Sequence, residues 1–151
     1  MSYLLIRAAK AHKAYAAVLL RTVGLYPGQE LLLMQLWDRD GQSQSDLVRS
    51  LQLDPSTVTR MVTRLVDQGV VTRAVSPTDG RAVVITLTTR GRQLHEDVRR
   101  VWNALERATT AELPDRARAE LRSSLESILG SLAAAMLDSD GGSLRRRSRV
   151  R

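Results

Sequence analysis

A mainly α-helical chain with one β-hairpin wing is the fold class that the sequence predicts, on three observations. Apolar residues recur at helical spacing along most of the 151 residues. Two β-branched runs, Val70–Val75 and Ala82–Leu87, break that pattern around the turn Ser76-Pro77-Thr78-Asp79-Gly80-Arg81. Directly before this hairpin lie two short helical segments joined by about four residues, the second polar and basic on its outer side.

The elements follow in order. Leu5, Ala8, Ala9, His12, Ala16 and Leu19 predict a first helix over about residues 2–22. Arg7, Lys10, His12 and Lys13 interrupt its apolar run, which rules out a signal peptide or a membrane span there. The protein is expected in the cytoplasm, with no membrane partner. Pro27 suits the start of a second helix, mostly buried through Leu31, Leu32, Met34, Gln35, Leu36 and Trp37, and Asp40-Gly41 ends it. Ser43 with Asp46 three residues on is a capping-box variant. It opens a helix of about two turns that turns Leu47, Val48 and Leu51 inward. Asp54 caps the next helix, Pro55 takes its first position, and Gly69 stops it. Its apolar stripe is Val58, Met61, Val62, Leu65 and Val66. Beyond the hairpin, Leu94, Val98, Val101, Trp102, Leu105 and Ala108 mark one amphipathic helix. Leu121, Leu125, Ile128, Leu129, Leu132, Ala133 and Met136 mark another after Pro114.

Composition narrows the function. The basic residues are almost all Arg, and the formal net charge is +7. Five of those charges sit in Leu144–Arg151, which holds no acid, so the basic excess is localised. Absence of Cys removes disulfides, thiolate metal sites and cysteine redox sensing. His12 and His95 are isolated in sequence, and His95-Glu96-Asp97 lacks the spacing of a zinc site. No phosphate-loop glycine pattern and no defensible nucleophile–base pair is present, so neither an enzyme nor a cofactor is expected.

Two short helices followed by a hairpin make a winged helix-turn-helix. The segment Ser56–Arg92 carries Arg60, Arg64, Arg73, Arg81, Arg90 and Arg92 against Asp67 and Asp79, a charge balance suited to phosphate contacts. Arg60 or Arg64 can reach a guanine edge in the major groove, while Ser and Thr hydroxyls suit backbone or less selective base contacts. At the hairpin tip, Arg81 suits a narrow minor groove, and Asp79 can orient its guanidinium. Double-stranded DNA is therefore the expected partner. The opposing reading is an ordinary solvated hairpin, and a winged-helix protein-interaction module that does not bind DNA is the alternative function.

"LDPSTVTRMVTRLVDQGVVTR", "SPTDGR" and "ITLTTRGRQL" also resemble the MarR family of bacterial winged helix-turn-helix regulators, most clearly from Leu25 to Leu94. Asp79-x-Arg81, the strand ending in Leu87-Thr88, and Gly91 are the most specific elements. Gln52 stands where the family often has Gly, and Ser76 and Gly80 where it often has Asp and Arg. The resemblance implies a homodimeric DNA-binding regulator, usually a repressor, often released by a small aromatic or phenolic acid. It places the recognition helix on Pro55–Gln68, base-facing positions on Ser56, Thr57, Thr59, Arg60 and Arg64, and the wing arginine on Arg81. Thr63, Arg73 and Asp79 complete the expected DNA contacts. His12, Tyr15 and Trp37 are candidates for an effector cavity, against the plainer reading of His12 as a core residue. An effector-independent regulator is the other alternative. The expected organisation is an N-terminal dimerisation helix (1–24), a DNA-binding lobe (25–92), C-terminal dimerisation helices (93–138) and an Arg-rich disordered tail (139–151).

Overall fold

The computed structural model describes residues 1–75 and 83–147, with side chains described as far as residue 137. The elements are α1 (Ser2–Arg21), α2 (Gln29–Asp38), β1 (Gln42–Ser43), α3 (Gln44–Leu51), α4 (Pro55–Asp67), β2 (Val71–Val75), β3 (Val83–Leu87), α5 (Thr89–Thr110) and α6 (Asp115–Arg147). They fall into two compact units, Met1–Thr109 and Thr110–Arg151.

The first unit has a wholly aliphatic buried core. Leu20 of α1, Leu32, Leu33 and Leu36 of α2, Leu47 of α3, and Val58, Val62 and Leu65 of α4 meet Ile85 and Leu87 of β3 and Val98 of α5. The three strands pair antiparallel in the order β1-β3-β2. The hairpin register runs from Val71 opposite Leu87 to Val75 opposite Val83. Strand β1 is an addition to the expected single hairpin: Gln42 and Ser43 pair with Ile85 and Val84. Two residues are too few to carry an alternating pattern, so the sequence gives no sign of it.

A tight knot anchors the hairpin to α5. Asp40 accepts the Leu87 backbone N–H at 2.9 Å through one carboxylate oxygen and pairs with Arg92 at 3.0 Å through the other. Trp37 Nε1 donates to the Gly91 carbonyl at 3.0 Å. Gly91 passes so close to Val70, the residue before β2, that a Cβ there would collide with the Val70 carbonyl oxygen. That close approach accounts for the glycine in "TTRGR".

Three expectations change. Helix α2 starts at Gln29, two residues after Pro27, because Gly28 turns the chain with φ 96° and donates its N–H to the Glu30 carboxylate at 2.7 Å. Leu31 and Met34 of α2 are exposed rather than buried. The apolar stripe of α1 meets the core only near its end: residues 1–15 are exposed, His12 among them, so His12 is not a core residue.

In the second unit, α6 contains no buried residue among those whose side chains are described. Leu121, Leu125, Leu129, Leu132 and Met136 form an exposed stripe. The helix continues to Arg147, well into the segment expected to be a disordered tail, while residues 148–151 lie outside the described residues. No proline follows residue 114, and Leu and Arg are good helix formers. A helix already nucleated propagates through Gly141-Gly142 at a cost of about 1 kcal/mol per glycine.

Candidate nucleic-acid interface

Helices α3 and α4 are set by local chemistry at each end. Ser43 Oγ accepts the Asp46 N–H at 3.0 Å and donates to the Asp46 carboxylate at 2.8 Å, which starts α3. The turn after α3 passes through Gln52 in the left-handed region, φ 52° and ψ 38°. Among the described residues it is the one non-glycine with positive φ. It occupies the position where the resemblance places Gly. Asp54 then caps α4, accepting the Thr57 N–H at 2.9 Å and the Ser56 hydroxyl at 2.6 Å, with Pro55 in the first turn. The Ser56 hydroxyl, then Thr57 and the Arg60 charge, hold the Asp54 carboxyl far below the usual carboxylate range.

The buried face of α4 is Val58, Val62 and Leu65, with Met61 half-buried. Val66, expected on the stripe, is exposed. The opposite face presents Ser56, Arg60, Thr63 and Arg64 to solvent, with Thr57 and Thr59 half-buried at its edge. Both arginines are steadied. Arg60 donates to Thr57 Oγ1 at 3.1 Å, and the Arg64 guanidinium lies 5.7 Å from the centre of the Tyr26 ring. Exposed Arg73 lies on β2. Asp79 and Arg81 lie outside the described residues. Six of the nine expected DNA contacts therefore share α4, and Arg73 sits on the adjoining strand.

The Ser56, Thr59 and Thr63 hydroxyls are not free donors. Ser56 donates to Asp54. Thr59 Oγ1 donates to the Pro55 carbonyl at 2.7 Å, and Thr63 Oγ1 to the Thr59 carbonyl at 3.0 Å. Thr59 Oγ1 also accepts from Gln44 Nε2 at 2.8 Å. Gln44, the first residue of α3, and Tyr26 were not singled out by the sequence. They sit 15 and 38 residues from their partners, Thr59 and Arg64, and no local pattern reports such pairings.

A small cleft of about 150 Å³ lies beside this face, lined by Tyr26, Pro27, Gln29, Thr57, Arg60, Met61 and Arg64. Gln29 is 2% exposed, and its Oε1 accepts the Tyr26 N–H at 2.8 Å. Its Nε2 has no hydrogen-bond partner among the described residues. The three effector candidates are placed differently. His12 and Tyr15 are exposed on α1, while half-buried Trp37 packs against His95 with ring centres 4.9 Å apart. None of the three lines this cleft, nor the larger cleft of about 300 Å³ among Gln35, Arg39, Gln42 and Arg49. Among the described residues, no three His, Cys, Asp or Glu side chains gather as a metal site, and no helix is long and apolar enough to cross a membrane.

Comparison with known proteins agrees with this geometry. An HTH-type transcriptional repressor of Mycobacterium tuberculosis is 28% identical over 128 residues, spanning 85% of this chain and 92% of the relative. The crystal structure of a MarR mutant from E. coli complexed with operator DNA superposes with a TM-score of 0.78 at 25% identity, covering 85% of this chain and 92% of that one. BpsR of Bordetella bronchiseptica was solved in a study of the regulation of its DNA binding by 6-hydroxynicotinic acid. It gives a TM-score of 0.76 at 27% identity, covering 84% and 96%. Residues 25–83 match the MarR family model, the span that holds α2, α3, α4 and β2. Residues 25–83 are a MarR-family domain, and in its fold and capped helix pair the chain is similar to winged helix-turn-helix transcriptional regulators of that family.

Proposed function

We propose that two copies of the chain bind a pseudo-palindromic operator in double-stranded DNA, each laying α4 in the major groove, and that the bound dimer represses transcription. The observation that carries this reading is the outer face of α4, where Arg60 and Arg64 stand one helical turn apart, each steadied by a neighbour. Arginines held in this way lose little side-chain freedom when they engage phosphates or guanine edges. The operator complex of the E. coli relative supports the same use of the lobe here. Arg81 is proposed as the minor-groove contact of the wing, with Asp79 orienting it.

Dimerisation is supported by apolar surface that the single chain leaves open. Tyr3, Leu4 and Ile6 of α1 are exposed, and so are Leu129, Leu132 and Met136 of α6. Each large aliphatic side chain left in water forgoes about 1.5–3 kcal/mol relative to burial. A second copy is the partner that the family supplies.

Release by a small aromatic acid is part of the proposal, supported by the 6-hydroxynicotinic acid response named for BpsR. The cleft beside α4 suits such a ligand: Tyr26 and Met61 offer apolar contact, and Arg60, Arg64 and Thr57 offer donors. A carboxylate bound there competes with DNA for both guanidinium groups. His12, Tyr15 and Trp37 remain the alternative contacts.

The test is selection of sheared genomic DNA on the purified protein at fixed salt, followed by sequencing. The expected product is a pseudo-palindrome whose half-site centres lie about 10 bp apart or a multiple of that. Recovery of no enriched sequence overturns the reading in favour of a protein-interaction module.

A further inference from the structure

Three hydroxyls of α4, those of Ser56, Thr59 and Thr63, have no hydrogen to offer a base. Ser56 gives its hydrogen to Asp54, Thr59 to Pro55 and Thr63 to Thr59. A hydroxyl carries one hydrogen. These three groups therefore have none for N7 and O6 of guanine, N7 of adenine or O4 of thymine. As arranged here, these three hydroxyls are left only an acceptor role toward a base.

Thr59 is held more firmly than the others. Its oxygen lies between the Pro55 carbonyl at 2.7 Å and Gln44 Nε2 at 2.8 Å. Because the hydroxyl hydrogen goes to Pro55, the Gln44 amide can only donate. The bond ties the first residue of α3 to the middle of α4 and resists rotation of the Thr59 side chain about χ1. A threonine has two groups on Cβ. With the oxygen held inward at 59, and turned back along the helix at 63, the γ-methyl is the group left at each position. Residues four apart share one helix face, so these methyls form one row and the Arg60 and Arg64 guanidiniums form a parallel row.

We propose that Thr59 and Thr63 read thymine through its C5-methyl group, and that Gln44 is the positioning residue that fixes Thr59 for this. The inference rests on the placement of α4 in the major groove. There thymine alone presents a methyl, and threonine methyl against thymine methyl is an established form of apolar readout. The face then carries a two-letter chemistry, with guanidinium for guanine and methyl for thymine. Each half-site should hold thymines beside the guanines that Arg60 and Arg64 contact.

The experiment replaces single thymines of the selected operator by deoxyuridine, which removes the methyl and leaves every hydrogen-bonding group. Affinity should fall about fourfold for each thymine facing Thr59 or Thr63. Replacement outside the half-sites should change nothing. Thr59→Ser should bring the thymine-to-deoxyuridine ratio at its own base to one. Thr59→Val, which keeps a methyl and loses the oxygen, should leave that ratio above that of the serine variant. Gln44→Met should lower the ratio at the base facing Thr59 and leave the ratio facing Thr63 in place, a split that a general loss of fold would not produce. Tight binding that is indifferent to deoxyuridine overturns this inference and leaves the DNA-binding reading standing. Serine outperforming valine at 59 overturns it in favour of a hydroxyl acceptor. Failure to bind any DNA overturns both readings.

Discussion

Helices α4 and α6 both present a long face to solvent, with opposite chemistry. Helix α4 buries Val58, Val62 and Leu65 in its own chain and faces outward with arginines and threonines. Its ends are closed locally, by Asp54 at the start and by Gly69, with φ 66°, just past the end. Helix α6 is 33 residues long, roughly 50 Å, and has no buried residue among its described side chains. Charged residues such as Arg116 and Glu120 are exposed on it, but so is an apolar row, with Leu129 68% and Met136 71% exposed. The difference separates two jobs. The chain itself completes α4, so its outer face is free for another kind of molecule. Helix α6 is left incomplete, and hydrophobic burial favours its closure by a second protein surface.

The strongest way to break this contrast is to make the α6 stripe polar. Leu125→Glu with Leu132→Glu places two charges seven residues apart on the same face. The variant should be monomeric by light scattering at concentrations where the parent is a dimer. Its affinity for the two-half-site operator should fall by about a hundredfold or more, since the second half-site is no longer engaged within one molecule. The lobe should remain folded, because no residue of its buried core lies on α6. A variant that stays dimeric would remove α6 from assembly.

The reverse probe is Arg64→Ala. It should leave the dimer and the melting temperature in place and weaken operator binding by about 1–3 kcal/mol, measured by titration at fixed salt. Tyr26 is half-exposed beside it, so loss of the cation–π contact contributes little to folding. Unchanged affinity would take the outer face of α4 out of the DNA contact.

The two helices also differ in how legible they were. The pattern of α4 was complete in sequence: a capping Asp54, Pro55, an apolar stripe and a stopping Gly69. The structure departs from it mainly in exposing Val66. The site residues on α4 were legible for the same reason, since one helix places them together. What a residue does there was less so. The Thr59 hydroxyl is held by the Pro55 carbonyl and Gln44, and the Thr63 hydroxyl by the Thr59 carbonyl, and amino-acid type alone cannot report the direction of a hydrogen bond. Strand β1 was invisible because two residues carry no period. Helix α6 runs to Arg147, past the start of the Arg-rich segment, and composition does not report the continuity of a helix already nucleated. Helix α1 shows the opposite fault: its stripe was read correctly as apolar, yet periodicity does not say whether the surface covering it belongs to the same chain.

A smaller effect tests how finely the chain itself has tuned the α3–α4 turn. Gln52 holds a left-handed conformation, which costs a residue bearing a Cβ about 1 kcal/mol or slightly more relative to glycine. Gln52→Gly should raise stability by roughly 1 kcal/mol by urea denaturation, less the entropy that glycine returns to the unfolded chain. DNA affinity should stay within about twofold, because the turn already has the geometry glycine prefers. A destabilised variant would mean that the Gln52 side chain makes a contact worth more than the backbone strain.

The smallest effect is a pH dependence at the start of α4. The Asp54 carboxylate accepts from Ser56 and from the Thr57 N–H, and its folded pKa lies well below the ordinary aspartate value of 3.8. A depressed folded pKa means that the unfolded chain takes up the proton first. The stabilisation is then fully present above the unfolded value and is lost as pH falls through that value toward the folded one. Asn is also a good helix cap but carries no charge, so Asp54→Asn keeps the geometry and removes the titration. Near neutral pH the variant should melt below the parent. The gap should close progressively as the medium is acidified below pH 3.8, where the parent's advantage titrates away. Both proteins should lose stability together from their other carboxylates, so the informative quantity is the difference between the two melting curves. A gap that stays constant down to strongly acid pH would show that the cap acts through shape alone, and that the charge at the head of α4 contributes nothing to holding the helix in place.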